Sequence, residues 1–295
     1  MSNLKQLRNR VKTIKSTQKI TKAMHVVSAA KLNKIKDQAF NLNNFSQALA
    51  EVMYDISNSG NLMDLPSDDR KFFNDDMEKL PHLLVVITSE RGLCGSFNSN
   101  IIKRAKAEIK SFQKLGKSFK LLIIGKKGRD ALRIDYADKI IGYYHVSHGN
   151  YECVSREVKD KIIALVQQEE VGACDIFYNK FINAMTQLVS VEQMLPAQNQ
   201  ETDSSSQLDS NKVTHYEYEG EGLVHDVIDL YIHGEINYAL LQSRASEEGA
   251  RMTAMDNSTK NAKELINKFT LKLNRSRQAI ITTELTEIIS GAEAI

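Results

Sequence analysis

The chain has 295 residues, with 39 Lys and Arg against 37 Asp and Glu, and is 42% hydrophobic; that is enough for one large domain or two smaller ones with a real core. A formal net charge of +2 with this hydrophobic share excludes a disordered chain, and no apolar run approaches the roughly eighteen residues of a membrane span. Cys94, Cys153 and Cys174 have neither metal-ligand spacing nor an even count, which predicts reduced thiols in a reducing compartment.

The mean charge hides a strong polarity. Residues 1–36 carry ten Lys and Arg and no acid, whereas residues 222–295 carry eight basic against ten acidic residues. An acid-free amphipathic start also suits a mitochondrial transit peptide. Its helical pattern continues to about residue 56, however, so removing a leader would cut into a structural element.

Pro66, Pro81 and Pro196 are the three prolines, and both flanks beyond residues 60–200 lack this helix breaker. In the first flank, apolar residues fall at Leu4, Leu7, Val11 and Ile14, at Ile20, Met24 and Val27, and at Ile35, Ala39, Leu42, Leu49, Met53 and Ile56, with Ser46 as a gap. Steps of three and four predict a helix over residues 1–58 with one narrow apolar stripe, and the slip near residues 17–20 predicts a stutter. Such a helix is about 85 Å long.

After a polar linker over residues 198–212 (Gln-Asn-Gln-Glu-Thr-Asp-Ser-Ser-Ser-Gln-Leu-Asp-Ser-Asn-Lys), the last segment, residues 213–295, carries a second helix of about 105 Å starting near residue 222. Its stripe runs through Val224, Val227, Tyr231, Tyr238, Leu241, Met252, Met255, Ala262, Leu265, Phe269 and Ile288, and Gly234 and Gly249 are expected to mark bends. Neither helix can bury its stripe alone. An antiparallel coiled coil solves this, with residue n opposite roughly residue 280 − n and the second helix extending alone for about 25 Å beyond Gln278.

Residues 80–197 read differently. Apolar strand-like runs at 82–89, 119–125, 139–145, 175–181 and 188–195 alternate with helical stretches near 100–115 and 154–168. Continuous hydrophobicity within the strands predicts a sheet covered on both faces, hence an α/β domain. The Asp-, Asn- and Ser-rich residues 60–79 form the other expected surface linker.

Chemistry is scarce. Arg91-Gly-Leu-Cys-Gly95 follows the first strand but lacks the third glycine of a dinucleotide fingerprint, and the second strand ends Ile124-Gly125-Lys126-Lys127 without the ribose-binding acid. No Gly-Lys-Ser/Thr forms a phosphate loop, so a tight strand-to-helix turn is the expected reading. Cys94 has no histidine partner by motif, and His145 and His148 lack companion ligands. The acids Asp68, Asp69, Asp75 and Asp76 read as loop solvation. The cationic first helix calls for an acidic partner, and nucleic acid, an anionic membrane and an acidic protein surface all qualify.

Two terminal motifs narrow the choice. Ile281-Thr-Thr-Glu-Leu-Thr-Glu-Ile-Ile-Ser-Gly-Ala-Glu-Ala294 resembles the closing signature of the gamma subunits of F-type ATP synthases, and Thr17-Gln-Lys-Ile-Thr-Lys-Ala-Met24 resembles their N-terminal hallmark. Arg91–Gly95, Asn179-Lys-Phe-Ile-Asn183 and Ala250-Arg-Met-Thr-Ala-Met255 are similar to internal landmarks of that family, so the resemblance spans the chain in order.

The resemblance implies a long antiparallel coiled coil of N- and C-terminal helices around an inserted Rossmann-like α/β domain. It implies a non-catalytic rotor, one copy per complex, turning inside a ring of alpha and beta subunits and joined to the epsilon subunit and the membrane ring of c subunits, peripheral to a bacterial inner membrane on its cytoplasmic side. No cofactor is implied. Lys19, Lys22, Met24, Arg251, Arg277, Gln278, Thr282 and Glu284 match family positions that face the catalytic ring or couple the two helices. The Ser-rich linker departs from the family, leaving the contacts with the membrane ring unassigned. The alternatives are a basic coiled-coil scaffold or nucleic-acid-binding protein, and a dinucleotide-dependent enzyme.

Overall fold

A computed structural model describes residues 2–58, 65–73, 80–147, 150–197 and 222–293. The elements run α1 (Ser2–Asn58), α2 (Ser67–Arg70), β1 (His82–Ile87), α3 (Phe97–Lys114), β2 (Phe119–Ile124), α4 (Lys126–Tyr136), β3 (Ile140–Tyr144), α5 (Tyr151–Gln167), β4 (Ala173–Phe181), β5 (Gln187–Leu195) and α6 (Leu223–Glu293). The linker over residues 198–212 and most of that over 60–79 lie outside the described residues. There are two compact units, one of residues 1–30 and 251–295 and the other of residues 31–250.

In the larger unit the strands lie in the order β3-β2-β1-β4-β5. The first four are parallel and β5 runs antiparallel to β4, with Tyr178 opposite Ser190 and Phe181 opposite Gln187. Side chains alternate between the sheet faces, and both faces are dry. Leu84, Val86, Leu121, Ile123 and Phe177 pack with Ile101, Ala105, Ile109 and Phe112 of α3. Those four recur at helical steps, which is why residues 97–114 form an amphipathic helix. Leu83, Val85, Ile87, Leu122, Ile176 and Tyr178 point the other way, against Val158 and Ile162 of α5, Ile228 and Ile232 of α6, and Met53 and Ile56 of α1. The terminal helices are thus part of the domain core, not merely attached to it.

Along α1 the seam runs through buried or half-buried Leu7, Val11, Ile14, Gln18, Thr21, His25 and Ser28 in the smaller unit and Leu32, Ile35, Leu42, Ser46, Leu49, Met53 and Ile56 in the larger, with half-buried residues such as Met24 and Ala29 beside it. These steps alternate four and three, apart from one step of seven between Ile35 and Leu42. The expected stutter near residue 17 is therefore absent: the seam passes through polar Gln18, Thr21, His25 and Ser28 while apolar Ile20 and Val27 stay outside, more than half exposed. Ser46, read as a gap, is buried in the seam. In α6 the stripe fails at Leu265 and Ile288, which are exposed.

Gly234 and Gly249 do not interrupt α6, which is helical over its full span. Close packing explains both. A Cβ at 234 would lie 3.3 Å from Leu49, and one at 249 would lie 3.1 Å from the Phe181 ring and 3.4 Å from the Ala184 Cα.

Candidate functional site

Two surfaces compete for the functional role: the outer face of the paired helices, and the carboxyl ends of the parallel strands. In the smaller unit, Arg8, Lys12, Lys15 and Lys19 recur at steps of four, three and four along α1 and, with Val11 and Ser16, line an open groove. Lys19 and Lys22 are exposed, and the neighbouring Val26 and Val27 are 59% and 53% exposed. This face therefore presents cations and aliphatic groups together.

The other motif-matched residues fall into distinct settings. Met24 is half-buried beside the seam, and Arg251 is buried within the chain. Arg277, Gln278, Thr282 and Glu284 are exposed on α6, where the Thr282 hydroxyl is tied to the Gln278 carbonyl at 3.0 Å. From residue 281 to 292 every side chain is exposed, including Ile281, Leu285, Ile288 and Ile289. The eight residues do not converge on one cluster; they are spread along the two helices.

Strand order reverses between β1 and β4, where open α/β sheets usually hold ligands. The loop after β1 is closed on itself. The Ser89 N–H donates to Asn98 Oδ1 at 3.0 Å, the Asn98 amide donates to Ser89 Oγ at 2.7 Å, and the Ser89 hydroxyl donates to the Arg91 carbonyl at 2.6 Å. Gly125 has φ 98°, and a Cβ there would collide with the Thr88 carbonyl. Its role is strand-to-strand approach.

Helix α6 then covers the β1 and β4 ends. Gln242 Oε1 accepts from the Phe181 N–H at 3.1 Å, and the Ser246 hydroxyl donates to the Asn179 carbonyl at 2.8 Å. Gly249 closes on Phe181 and Ala184, and Ala250 packs against Cys94 and Phe97. Side chains of α6 thus pack over this end of the sheet. Gln242 and Ser246 were not singled out by sequence; their spacing of four with Gly249 three further on is the signal that marks this small, polar stripe.

The remaining candidates are occupied locally. All three cysteines are free; Cys94 is buried and accepts from the Asn98 amide at 3.2 Å, and burial pushes the Cys174 thiol well up. His145 Nδ1 lies 3.0 Å from Glu90, whose other oxygen accepts from the Val146 N–H, while His148 lies outside the described residues. Among the described residues no His, Cys, Asp and Glu group could hold a metal, and no helix is long and apolar enough to cross a membrane.

The ATP synthase family model matches residues 3–295. The ATP synthase gamma chains of Rickettsia akari and Rickettsia prowazekii are 52% and 51% identical over 295 residues, covering all of both chains. A chain of the Tetrahymena thermophila mitochondrial ATP synthase central stalk and c-ring is 26% identical with a TM-score of 0.58, covering 81% of this chain and 98% of that one. A Euglena gracilis mitochondrial ATP synthase chain shares the fold at 20% identity and a TM-score of 0.69, covering 99% and 94%. Nothing among these relatives points to the nucleic-acid or dinucleotide readings. With matching ends, matching fold and full-length relatives, the chain belongs to the gamma-chain family of the ATP synthases, the non-catalytic rotor of the central stalk.

Proposed function

We propose that this chain turns as a single copy inside a ring of alternating alpha and beta subunits. On this reading it carries torque between that ring and the c subunits of the membrane rotor, with the epsilon subunit bound to it. The complex belongs at a bacterial inner membrane, where this chain is peripheral on the cytoplasmic side. The segments of residues 1–58 and 213–295 act as the shaft, and residues 80–197 form the α/β domain. Lys19, Lys22, Met24, Arg251, Arg277, Gln278, Thr282 and Glu284 serve the contacts with the catalytic ring or the coupling of the two helices.

The observation that carries this reading is the surface of the helix pair. An acid-free stretch with exposed cations and exposed aliphatic side chains, together with a helix end that exposes Ile281, Leu285, Ile288 and Ile289, calls for a surrounding protein with acidic and apolar patches. Two unlike helices have no rotational symmetry, so a shaft made from them presents a different face to each of several equivalent sites. Each site's equilibrium is biased by its own contacts, and rotation exchanges the biases.

The test reverses Lys19→Glu and Lys22→Glu together in membranes carrying the complex. The expected result is intact assembly and ATP hydrolysis with partial loss of coupled synthesis and ion pumping, since exposed charge contacts are individually weak. Unchanged coupling, with tight DNA binding that falls steeply with salt, would overturn the reading in favour of a nucleic-acid partner.

A further inference from the structure

Within residues 31–250, polar side chains meet between α1, α6 and the sheet where apolar packing would otherwise continue. The Ser46 hydroxyl of α1 donates to Glu235 Oε1 of α6. Across the same space the Tyr178 hydroxyl of β4 donates to Glu192 of β5 at 2.5 Å, and the Tyr178 and Tyr238 rings meet edge to face at 6.1 Å. Among the described residues the titratable groups acting on this space are all acids: Glu192 from β5, Tyr178 and Cys174 from β4, and Tyr231 and Tyr238 from α6 itself. From α1 the facing group is the neutral Ser46, and residues 38–50 carry no charge at all.

We propose that Glu235, which meets Ser46 of α1 in this clasp and feels Glu192, is a proton-operated latch: while its carboxyl is neutral α1 stays packed over it, and release of its proton to solvent favours separation of that stretch of α1. A carboxylate here is partly stripped of its water, meets no cation among the described residues and feels a second carboxylate, so the fuller hydration gained when α1 moves off favours its charged form. Burial, reinforced by Glu192, pushes the Glu235 carboxyl up from 4.5 to about 7, while the bond from Ser46 pulls the other way. The latch is independent of which partners surround the shaft, and either reading can fail without the other.

Opening therefore takes place with loss of a proton, and the fraction open rises by up to tenfold per pH unit until Glu235 is ionised in the closed state, then levels off. Hydrogen exchange by mass spectrometry on the assembled complex, from about pH 5 to about pH 8, reads this directly in peptides covering residues 42–53. After correction for intrinsic exchange, wild-type protection should fall towards neutral pH and then level. Glu235→Gln should be flat. Glu192→Gln should reach its plateau at lower pH, because repulsion is removed, and Ser46→Ala at higher pH, because the bond favouring the ionised form is lost. A flat wild-type profile, or a wild-type profile retained in Glu235→Gln, overturns the latch.

Discussion

The hydroxyls of Thr21 on α1 and Thr259 on α6 lie 2.7 Å apart, and Thr259 is also bonded to the Met255 carbonyl of its own helix at 2.8 Å. This pair sits on the expected antiparallel register, in which residue n faces roughly residue 280 − n. Arg10 over the Phe269 ring, Lys31 with Glu248, and Ser46 with Glu235 each fall within one residue of the same line.

Thr21→Val removes one hydroxyl from a buried position and should cost about 1 kcal/mol. Thr259→Val should cost less in that background than alone, because the pair is then apolar on both sides. Urea unfolding of the full chain in a double-mutant cycle checks this, with a coupling of roughly 0.5 kcal/mol or more as the expected outcome.

Gly249→Val drives two methyl groups into Phe181 and the Ala184 backbone. Overpacking of this kind costs about 1–3 kcal/mol. Gly249→Ala should be milder, since helix propensity returns about 1 kcal/mol and the Phe181 ring has to yield only slightly. Thermal midpoints of the two variants should rank accordingly.

Because α6 fills the crevice beside Cys94 and Phe181, the full chain should bind neither NAD, NADP nor ATP. Calorimetric titration should give dilution heats alone. Micromolar binding of any of the three would mean that α6 can leave the sheet.

Removing residues 281–295 takes away a helix end whose described side chains are all exposed. The rest of the chain should unfold within about 0.5 kcal/mol of wild type by chemical denaturation, as surface changes do. A large loss would show that the end is packed on its own chain.

Glu235 also sets a pH dependence of global stability. Its folded value, about 7, lies above the ordinary 4.5, so the native chain binds more protons than the unfolded chain between these limits. The stability associated with the neutral carboxyl is fully present below about pH 4.5, falls as pH rises, and is lost above about pH 7, a change on the order of 3 kcal/mol. Glu235→Gln should flatten that decline in denaturation curves taken across the window.

Helix period, rise per residue and strand alternation are local properties, and for that reason the sequence by itself determined the two long helices, their antiparallel register and the α/β character of residues 80–197. The terminal motifs likewise marked the family, because they are read residue by residue. What a helix buries depends on what its partner brings opposite. Only the tertiary structure could decide that Thr21, Ser28 and Ser46 are buried and Glu235 half-buried while Ile20, Val27 and Leu265 stay outside. The same holds for Gly249: alone it reads as a weak point in a helix, whereas next to Phe181 and Ala184 it allows α6 to lie against the sheet and close the crevice.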